Sequence, residues 1–430
     1  MEKKVLIISY YWPPSGGSGV QRWLKFVKYL PQLGWTPYVF TPENPSFPVR
    51  DESLLKDVPD EAEIIHFPIW EPYDLFYKIT GKPQNSSAGI DLPSQDTSML
   101  KRIATWLRGN LLIPDPRRFW VKPSVKFLRD FLKENQIENI ITTGPPHSLH
   151  LIGLKLKKQN PKLHWIADFR DPWSEWGFLD SLRVGSLARK VHKRLEREVL
   201  RTADVVTTIT PFYVRHFERL GGRKVQLLTN GFDEDDFRDL KVSRDDRFVI
   251  RHVGIVNERC NPRPFFEAVA LLIAENASFA EHVRIEFIGQ VYEPVKEFAR
   301  KNPLMNERTT FISTMPHKEL MKIYGNASVL LLVLHGYKDA EGYMPGKLFE
   351  YVATGLPVIG VGPTTGDAAT LLNDGDVGKM FEAEDIAGLK HAIAEIFERW
   401  KKNEPLPNQT GSRRYSRKTL TQHLTSLLRP

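Results

Sequence analysis

The chain has very little cysteine and no long apolar run, and each shortage limits what the protein can be. Cys260 is the one cysteine among 430 residues, which excludes an intrachain disulfide and a cysteine-based zinc site and suits a reducing compartment. No apolar stretch approaches the roughly 20 residues that a helix needs to cross a bilayer. Two lysines precede the apolar run 5–12 as in a signal peptide, but Pro13 and Pro14 follow instead of a cleavage site. We therefore expect a buried first strand and a cytoplasmic protein.

The composition is that of a folded protein with more than one domain. Lysine and arginine number 60 against 52 acidic residues, a net charge of +8, and 41% of the residues are hydrophobic. These values argue against disorder and fibrous repeats, and we find no internal repeat. Single cores stop growing below this length, so two domains are expected. The excess of basic residues is compatible with polyanionic partners, namely nucleotides, nucleic acid or a membrane surface.

Short apolar runs alternate with amphipathic stretches along the whole chain. The runs are continuous, as in strands that helices cover on both faces, and their alternation with helices predicts parallel, doubly wound α/β sheets. Two series of runs predict two Rossmann-like domains, with a boundary near 210–225 where Pro211 and the Gly221-Gly222 pair interrupt the pattern. The predicted strands are 4–10, 37–41, 62–67, 138–143, 163–169 and 205–209, then 225–228, 248–253, 283–288, 309–312, 328–334 and 357–361. The predicted helices are 19–33, 122–135, 148–158, 186–203, 261–275, 316–325, 346–354 and 384–400.

A glycine-rich loop follows the first predicted strand. The turn before the next helix reads Gly16-Gly17-Ser18-Gly19. Glycines let a ligand approach the backbone, and a helix N-terminus offers unpaired N–H groups to a phosphate or sugar oxygen. A tight strand-to-helix turn explains the loop equally well. The dinucleotide fingerprint fails because Arg22 stands in place of the third glycine, and no Walker motif is present, so NAD is disfavoured.

Two polar segments follow neighbouring strands in the middle of the chain. The first contains His147, and the second contains Asp168, Arg170 and Asp171. Both fall at the carboxyl ends of strands, where ligand crevices form in open α/β sheets. Such side chains can bind hydroxyl groups or move a proton. Each has an ordinary alternative, His147 as a helix cap and the carboxylates as a locally paired turn, but the two segments together favour function.

A lysine and a glutamate open a helix in the C-terminal half. Helical periodicity places Lys347 and Glu350 on one face, one turn apart. A cation at a helix start, added to the helix dipole, suits a diphosphate. A carboxylate one turn later suits the vicinal hydroxyls of a ribose. The alternative is an ordinary surface ion pair between residues i and i+3.

Taken in order, these segments resemble the family 4 retaining glycosyltransferases of GT-B architecture, in particular a bacterial branch that builds surface polysaccharides. The resemblance spans nearly the whole chain. It implies an α/β fold in which two Rossmann-like domains face each other across a cleft: an N-terminal acceptor domain, residues 1–215, and a C-terminal donor domain, residues 216–412. We expect a C-terminal helix in 413–430 to cross back to the N-terminal domain. The segments that carry the resemblance are the glycine loop, Gly144–Ser148, Asp168–Trp173, Thr229–Asp233, Gly254–Pro262 and Lys347–Tyr351 before Gly355–Pro357.

The resemblance also implies roles for individual residues. Glu350 would hold the nucleotide ribose, Lys347 and Arg259 would neutralise the diphosphate, and the backbone of Gly16 to Gly19 would close over it. The chain departs from the family at Gly342, where a second glutamate commonly contacts the donor sugar; Glu341 is one position away.

The implied reaction moves a sugar from a nucleotide sugar to a glycan or lipid-linked acceptor in cell-surface polysaccharide synthesis. Retention follows from the resemblance alone. The catalytic candidates are Asp168, Asp171 and His147, and the acceptor-facing candidates are His147 and Arg170. No obvious nucleophile is present, so we expect no covalent intermediate.

We also expect no metal and no other cofactor. The Asp-x-Asp sequences that start at Asp233 and Asp374 have a different explanation, since the first suits a helix cap and the second a loop.

Two basic amphipathic stretches predict peripheral contact with an anionic membrane at its inner face. Residues 101–122 hold six basic residues against Asp115, and residues 181–201 hold seven against two glutamates, with Trp and Leu interleaved. A solvated charged face is the alternative.

Two other functions remain open at this point. Nucleotide-sugar 2-epimerases share the architecture, and the basic composition allows a nucleic-acid-binding protein. The second gives Lys347 and Glu350 no role, so no nucleic-acid partner is expected.

Overall fold

The chain folds into two compact units, each built on one parallel sheet. The computed structural model describes residues 2–45, 50–72, 99–175, 177–334, 340–405 and 410–430. The first unit comprises Met1–Thr229 and Leu420–Pro430, and the second comprises Asn230–Thr419.

The first unit contains a seven-stranded sheet. Its strands are β1 (Lys3–Ile8), β2 (Trp35–Pro42), β3 (Glu63–Phe67), β4 (Asn139–Gly144), β5 (His164–Phe169), β6 (Val205–Thr208) and β7 (Gln226–Leu227). Their order is β3-β2-β1-β4-β5-β6-β7, and Val5 lies between Pro37 and Asn139 in the parallel ladders. The chain reverses its winding direction between β1 and β4, so the carboxyl ends of these two strands border a crevice.

Helices cover both faces of this sheet. They are α1 (Ser18–Tyr29), α2 (Met99–Leu111), α3 (Arg118–Glu134), α4 (Ser148–Gln159), α5 (Phe178–Ser181), α6 (Ser186–Thr202) and α7 (Pro211–Gly221). All residues of β4 and β5 are buried, which confirms the expectation from their continuous apolar runs.

The second unit contains a six-stranded parallel sheet. Its strands are β8 (Phe248–Val253), β9 (Val283–Ile288), β10 (Thr309–Ile312), β11 (Val329–Val333), β12 (Val358–Val361) and β13 (Gly378–Phe381), in the order β10-β9-β8-β11-β12-β13. Its helices are α8 (Arg263–Glu275), α9 (Ala277–His282), α10 (Glu293–Lys301), α11 (Pro303–Asn306), α12 (His317–Tyr324), α13 (Gly346–Thr354), α14 (Asp367–Asp374) and α15 (Ile386–Lys401). The winding reverses between β8 and β11, which places the second crevice at their carboxyl ends.

From Leu420 onward, the last helix, α16 (Arg417–Ser426), belongs to the first unit. Leu420, Leu424 and Leu428 are buried in the cluster that contains Val5 of β1. The side chain of Asn139 in β4 exchanges hydrogen bonds of 3.1 and 2.9 Å with the backbone of Arg429.

Two local features of the fold differ from the sequence analysis. Pro211 and Gly222 do not interrupt the fold but begin and end α7: Thr210 accepts the capping hydrogen bond from the Tyr213 N–H, and Gly222 is the left-handed C-cap. Strand β13 was not predicted, because its four residues include a glycine and an exposed lysine.

Within the described part of the chain, no helix combines the length and the apolarity that crossing a membrane requires.

Candidate functional site

Asp168 lies at the centre of a buried polar network in the first unit. Its side chain is fully buried at the end of β5. The Asp168 carboxylate accepts hydrogen bonds from five donor atoms: Arg22 Nη2 (2.7 Å) and Nε (3.1 Å), Trp23 Nε1 (3.0 Å), Thr143 Oγ1 (3.0 Å) and Thr207 Oγ1 (2.9 Å). Both carboxylate oxygens are thus engaged inside the protein.

The electrostatics of Asp168 follow from this network. Burial would raise the pKa of its carboxyl, but the charge and hydrogen bonds of Arg22, together with the Thr207 hydroxyl, lower the pKa below its ordinary value. A carboxylate held this firmly in its charged form is a poor proton acceptor. The geometry suits an anchor that fixes α1 and the ends of β4 and β6 around β5.

Arg170 connects the two loops that border the crevice of the first sheet. Its guanidinium donates to the carbonyl oxygens of Gly144 (3.4 Å), the last residue of β4, and of Pro145. It also donates to the carbonyl oxygen of Gly19 (3.1 Å) in α1. The neighbouring Asp171 is half-buried. Arg170 therefore holds the glycine loop against the loop after β4.

The glycine loop presents the start of α1 without a side-chain cap. Gly17 is the N-cap residue with a φ of 94°, and no acidic residue lies in the first turn. A Cβ at Gly19 would come within 3.0 Å of Arg170 Nη1. Since Gly16 and Gly17 are at least partly exposed, the loop and the uncapped helix start suit the approach of an oxyanion.

His147 is buried, and its ring faces the backbone carbonyl of Pro172. Its ring stacks on Trp173 with 5.1 Å between centroids. It makes no side-chain cap at the start of α4, which removes the structural alternative considered above. Burial, then His150, Arg170 and His192, hold the pKa of His147 well below its ordinary value. The neutral imidazole has one nitrogen that can accept a proton.

Sequence reasoning missed the residues that support Trp173. The Trp173 indole N–H donates to Nδ1 of His192 (2.9 Å), and the backbone N–H groups of Trp173 and Ser174 donate to Glu196 (3.1 and 3.0 Å). His192 and Glu196 are buried one turn apart on α6. The sequence pattern that could have indicated this contact is a pair of polar residues on the buried face of an amphipathic helix.

In the second unit the structure brings Lys347 and Glu350 together on the first turns of α13, as predicted. The Lys347 ammonium donates to Nε2 of His252 at 3.1 Å. The Glu350 carboxylate accepts from Tyr324 Oη at 2.9 Å and from His317 Nε2 at 3.1 Å. Lys347 forms no ion pair within the part of the chain that the structure describes, so the two side chains are not the surface pair of the alternative interpretation.

Burial lowers the pKa of Lys347 to about 8, although the nearby Cys260 and Glu350 act in the opposite direction. A partly desolvated cation at a helix N-terminus, where the helix dipole is also positive, favours an anionic ligand.

Arg259 and the family-departure position Gly342 have different environments. Arg259 is exposed in the loop after β8, where its N–H donates to the Asn257 side chain at 2.9 Å. Gly342 is buried in the short 3-10 helix Ala340–Gly342, and Glu341 is exposed.

Two family models match the chain, one in each half. The model described as glycosyl transferase 4-like domain matches residues 16–231, and the model described as glycosyl transferases group 1 matches residues 247–399. No curated protein sequence matches the chain.

Several solved structures are similar over the whole chain. The trehalose-phosphate synthase from Burkholderia xenovorans has 14% identity and a TM-score of 0.62, covering 98% of this chain and 99% of that one. The sucrose-phosphate synthase from Thermosynechococcus elongatus has 14% identity and a TM-score of 0.59, covering 99% and 98%. WaaG, a glycosyltransferase involved in lipopolysaccharide biosynthesis, has 13% identity and a TM-score of 0.54, covering 98% and 99%. At these identities the likeness shows the fold, and it confirms the predicted GT-B architecture.

Proposed function

Because the chain belongs to the glycosyl transferase 4-like family, it is a glycosyltransferase, and we propose that it moves a sugar from a nucleotide-sugar donor to a glycan or lipid-linked acceptor of cell-surface polysaccharide synthesis. The observation that carries the donor assignment is Lys347. Its ammonium lies on the first turn of α13 and has a lowered pKa. Within the described chain it is hydrogen-bonded to the neutral imidazole of His252 and forms no ion pair with a carboxylate. A diphosphate supplies the missing negative charge.

Glu350 is proposed to hold the ribose of the same nucleotide. Tyr324 and His317 each donate one hydrogen bond to its carboxylate. Each carboxylate oxygen has a further lone pair, so the group can still accept from two vicinal hydroxyls. The exposed Arg259, in the same unit, is proposed to complete the phosphate site.

On the acceptor side, we propose Asp171 as the group that takes the acceptor proton. The neutral His147, whose pKa is held low by burial, is proposed to accept a hydrogen bond from an acceptor hydroxyl. Asp168 is assigned an anchoring role instead, because its carboxylate is buried and hydrogen-bonded to Arg22, Trp23, Thr143 and Thr207. The same bonds make it unsuited to be a nucleophile, which supports a reaction without a covalent intermediate.

We propose that transfer needs no metal. Asp233 caps the short helix that follows it by accepting from the Asp235 N–H at 3.2 Å, and Asp235 pairs with Arg238. This Asp-x-Asp sequence thus has a structural use. The leaving diphosphate would be stabilised by the fixed cations and helix N-termini, each contributing on the order of a few kcal/mol. WaaG is described as involved in lipopolysaccharide biosynthesis, which supports the polysaccharide assignment by analogy. A cytoplasmic location at the inner membrane face is part of the same proposal.

A screen of UDP-, GDP- and ADP-sugars should find one that raises the melting temperature, since ligand at 100 times its Kd stabilises the folded protein by about 2.7 kcal/mol. Glu350→Ala should lose most of this stabilisation because the ribose loses its acceptor, whereas exposed Glu384→Ala should keep it.

With an acceptor, the active donor should be consumed at an unchanged rate after chelator treatment, and the product should retain the anomeric configuration. Epimer formed from donor alone would favour the 2-epimerase, and strict dependence on Mn²⁺ or Mg²⁺ would contradict the metal-free mechanism.

The proposed membrane contact is an apolar surface on α2 and α6. On α2, the exposed residues Met99, Ile103, Trp106 and Leu107 follow the i, i+4, i+7, i+8 spacing of one helix face. On α6, Leu187 is 76% exposed. We refer to these five residues as the apolar stripe.

Hydrogen bonds place the two helices side by side. Asn110 of α2 accepts from the Gly185 N–H at 2.8 Å and donates to the Arg183 carbonyl at 3.2 Å, just before α6. Exposed Arg102, Arg183 and Lys190 lie near the stripe in sequence, which makes an anionic lipid surface the complementary partner. Two residues of the predicted basic stretch do not contribute, because Arg117 pairs internally with Glu71 at 2.9 Å and Trp120 is buried.

Vesicles that contain anionic phospholipid should sediment the protein, and neutral vesicles should not. The double variant Trp106→Ser/Leu187→Ser should lower the bound fraction at least about tenfold, because two large apolar side chains leave the interface. Leu271→Ser, which changes an exposed leucine of the second unit, should bind as the wild type does. Equal sedimentation of the double variant and the wild type would remove the apolar stripe as the docking surface.

A further inference from the structure

His252 is a residue of the second sheet whose side chain contacts the proposed phosphate site. It belongs to β8 and is 1% exposed. Its Nδ1 is 2.9 Å from the carbonyl oxygen of Leu331 in β11, and its Nε2 is 3.1 Å from Nζ of Lys347. The imidazole therefore connects the two strands at the winding reversal with the first turn of α13.

These two contacts determine the tautomer of His252. A carbonyl oxygen can only accept, so Nδ1 carries the proton and donates to Leu331, which leaves Nε2 as an acceptor for the Lys347 ammonium. Burial, followed by the charge of Lys347, holds the pKa of His252 well below its ordinary value. The ring is therefore neutral, and the lone pair on Nε2 can accept a hydrogen bond from the Lys347 ammonium without cancelling its charge.

The space beside the ammonium is left open by Gly254. This residue follows β8 with a φ of 109°, which favours glycine, and a Cβ built on it would lie 3.5 Å from Lys347 Nζ. A carboxylate in the position of His252 would instead satisfy the lysine charge and reduce its attraction for phosphate.

We propose that His252 is a positioning residue: its Nε2 holds the Lys347 ammonium at the diphosphate site while leaving the positive charge for the nucleotide. This inference rests on the proposed donor function and adds to it a residue that need not touch the nucleotide itself.

The groups that face Lys347 determine how its protonation should respond to ligand. They are His252 on β8, Cys260 in the loop after β8, and Glu350 on α13. A diphosphate favours the charged lysine, so binding should be strongest below the lysine pKa of about 8 and should weaken as the pH rises through it. Removal of the His252 acceptor takes away a hydrogen bond to the charged form and should move this decline to lower pH.

The test compares His252→Leu, which removes the acceptor, with His252→Gln, which can restore one through its amide oxygen. The probe is UDP, GDP or ADP, whichever binds the wild type, titrated calorimetrically between pH 6 and about 9.5, across the Lys347 pKa of about 8. His252→Leu should weaken binding at least about tenfold, as expected for one hydrogen bond to a charged group, with its pH decline displaced downward. His252→Gln should remain close to the wild type. His282→Leu is the matched control, because that histidine is hydrogen-bonded to the Ser278 carbonyl at 2.8 Å within α9.

A second measurement determines the pKa of Lys347 in the absence of nucleotide. Acetylation of Lys347 by acetic anhydride, followed by mass spectrometry over a pH series, should show a lower pKa in His252→Leu than in the wild type. Unchanged binding and labelling in His252→Leu would overturn the proposal, as would equal losses in the Leu and Gln variants. If the wild type itself bound none of the three nucleotides, the donor function would fail instead.

Discussion

Asp168→Ala should lower the free energy of unfolding of the first unit by about 3–5 kcal/mol, the usual cost of breaking a buried ion pair. The substitution leaves the guanidinium of Arg22 buried without its carboxylate partner, although the carbonyl oxygens of Leu228 and Thr229 still accept from it. It also leaves Trp23, Thr143 and Thr207 without an acceptor.

The loss should depend on pH in a defined direction. The pKa of Asp168 is lowered in the folded protein, so its contribution is fully present above the unfolded value of about 4 and is lost as the pH falls through the folded value. The difference in stability between wild type and variant should therefore be largest near neutral pH and shrink in acid.

Hydrogen exchange of amides in β4, β5 and β6 measures the first unit separately from the second, which matters because a two-unit chain need not unfold in one step. Asp130→Ala, at an exposed carboxylate of α3, is the matched control and should leave this protection unchanged. Wild-type protection combined with lost turnover in Asp168→Ala would show that the carboxylate acts in catalysis rather than as an anchor.

Lys347→Met should reduce kcat about 100- to 1,000-fold while the protein stays folded. The departing diphosphate gains negative charge in the transition state, and removal of one fixed donor to such a charge costs about 3–4 kcal/mol. Methionine keeps much of the apolar stem, and loss of a cation that has no carboxylate partner in the described chain removes a desolvation cost rather than a stabilising pair.

The pH dependence separates this role from a general effect on the site. Nucleotide affinity of the wild type should fall above about pH 8, where Lys347 loses its proton, and the variant should show no such decline. Lys301→Met, at an exposed lysine on α10, should match the wild type in kcat and in pH profile. A Lys347→Met enzyme with wild-type turnover would exclude the lysine from the donor site.

Much of the fold could be predicted because each unit buries its strands on both faces. Continuous apolar runs marked β1 to β12 at nearly their observed positions, whereas β13 is short and carries Lys379. Helix α7 was missed for a local reason: Pro211 and Gly222 are breakers within a helix but ordinary residues at its first position and C-cap.

The candidate site was only partly predictable. Lys347 and Glu350 were found because their relation is one helical turn. Their partners His252 and His317 lie 95 and 33 residues away in sequence, and such pairings depend on tertiary structure. For Asp168, the position of the carboxylate at the end of a strand could be predicted from the sequence. Its partner Arg22, which keeps the carboxylate charged, lies 146 residues earlier and could not be predicted.

The buried leucines of the C-terminal segment 417–430 have a consequence for how the protein is made. Leu420, Leu424 and Leu428 belong to the buried cluster of the first sheet together with Trp23. A ribosome that has released residues 1–229 has therefore not yet supplied every side chain of that cluster. We therefore expect the first half to be synthesised to keep part of this apolar cluster exposed until residues 420–428 have emerged.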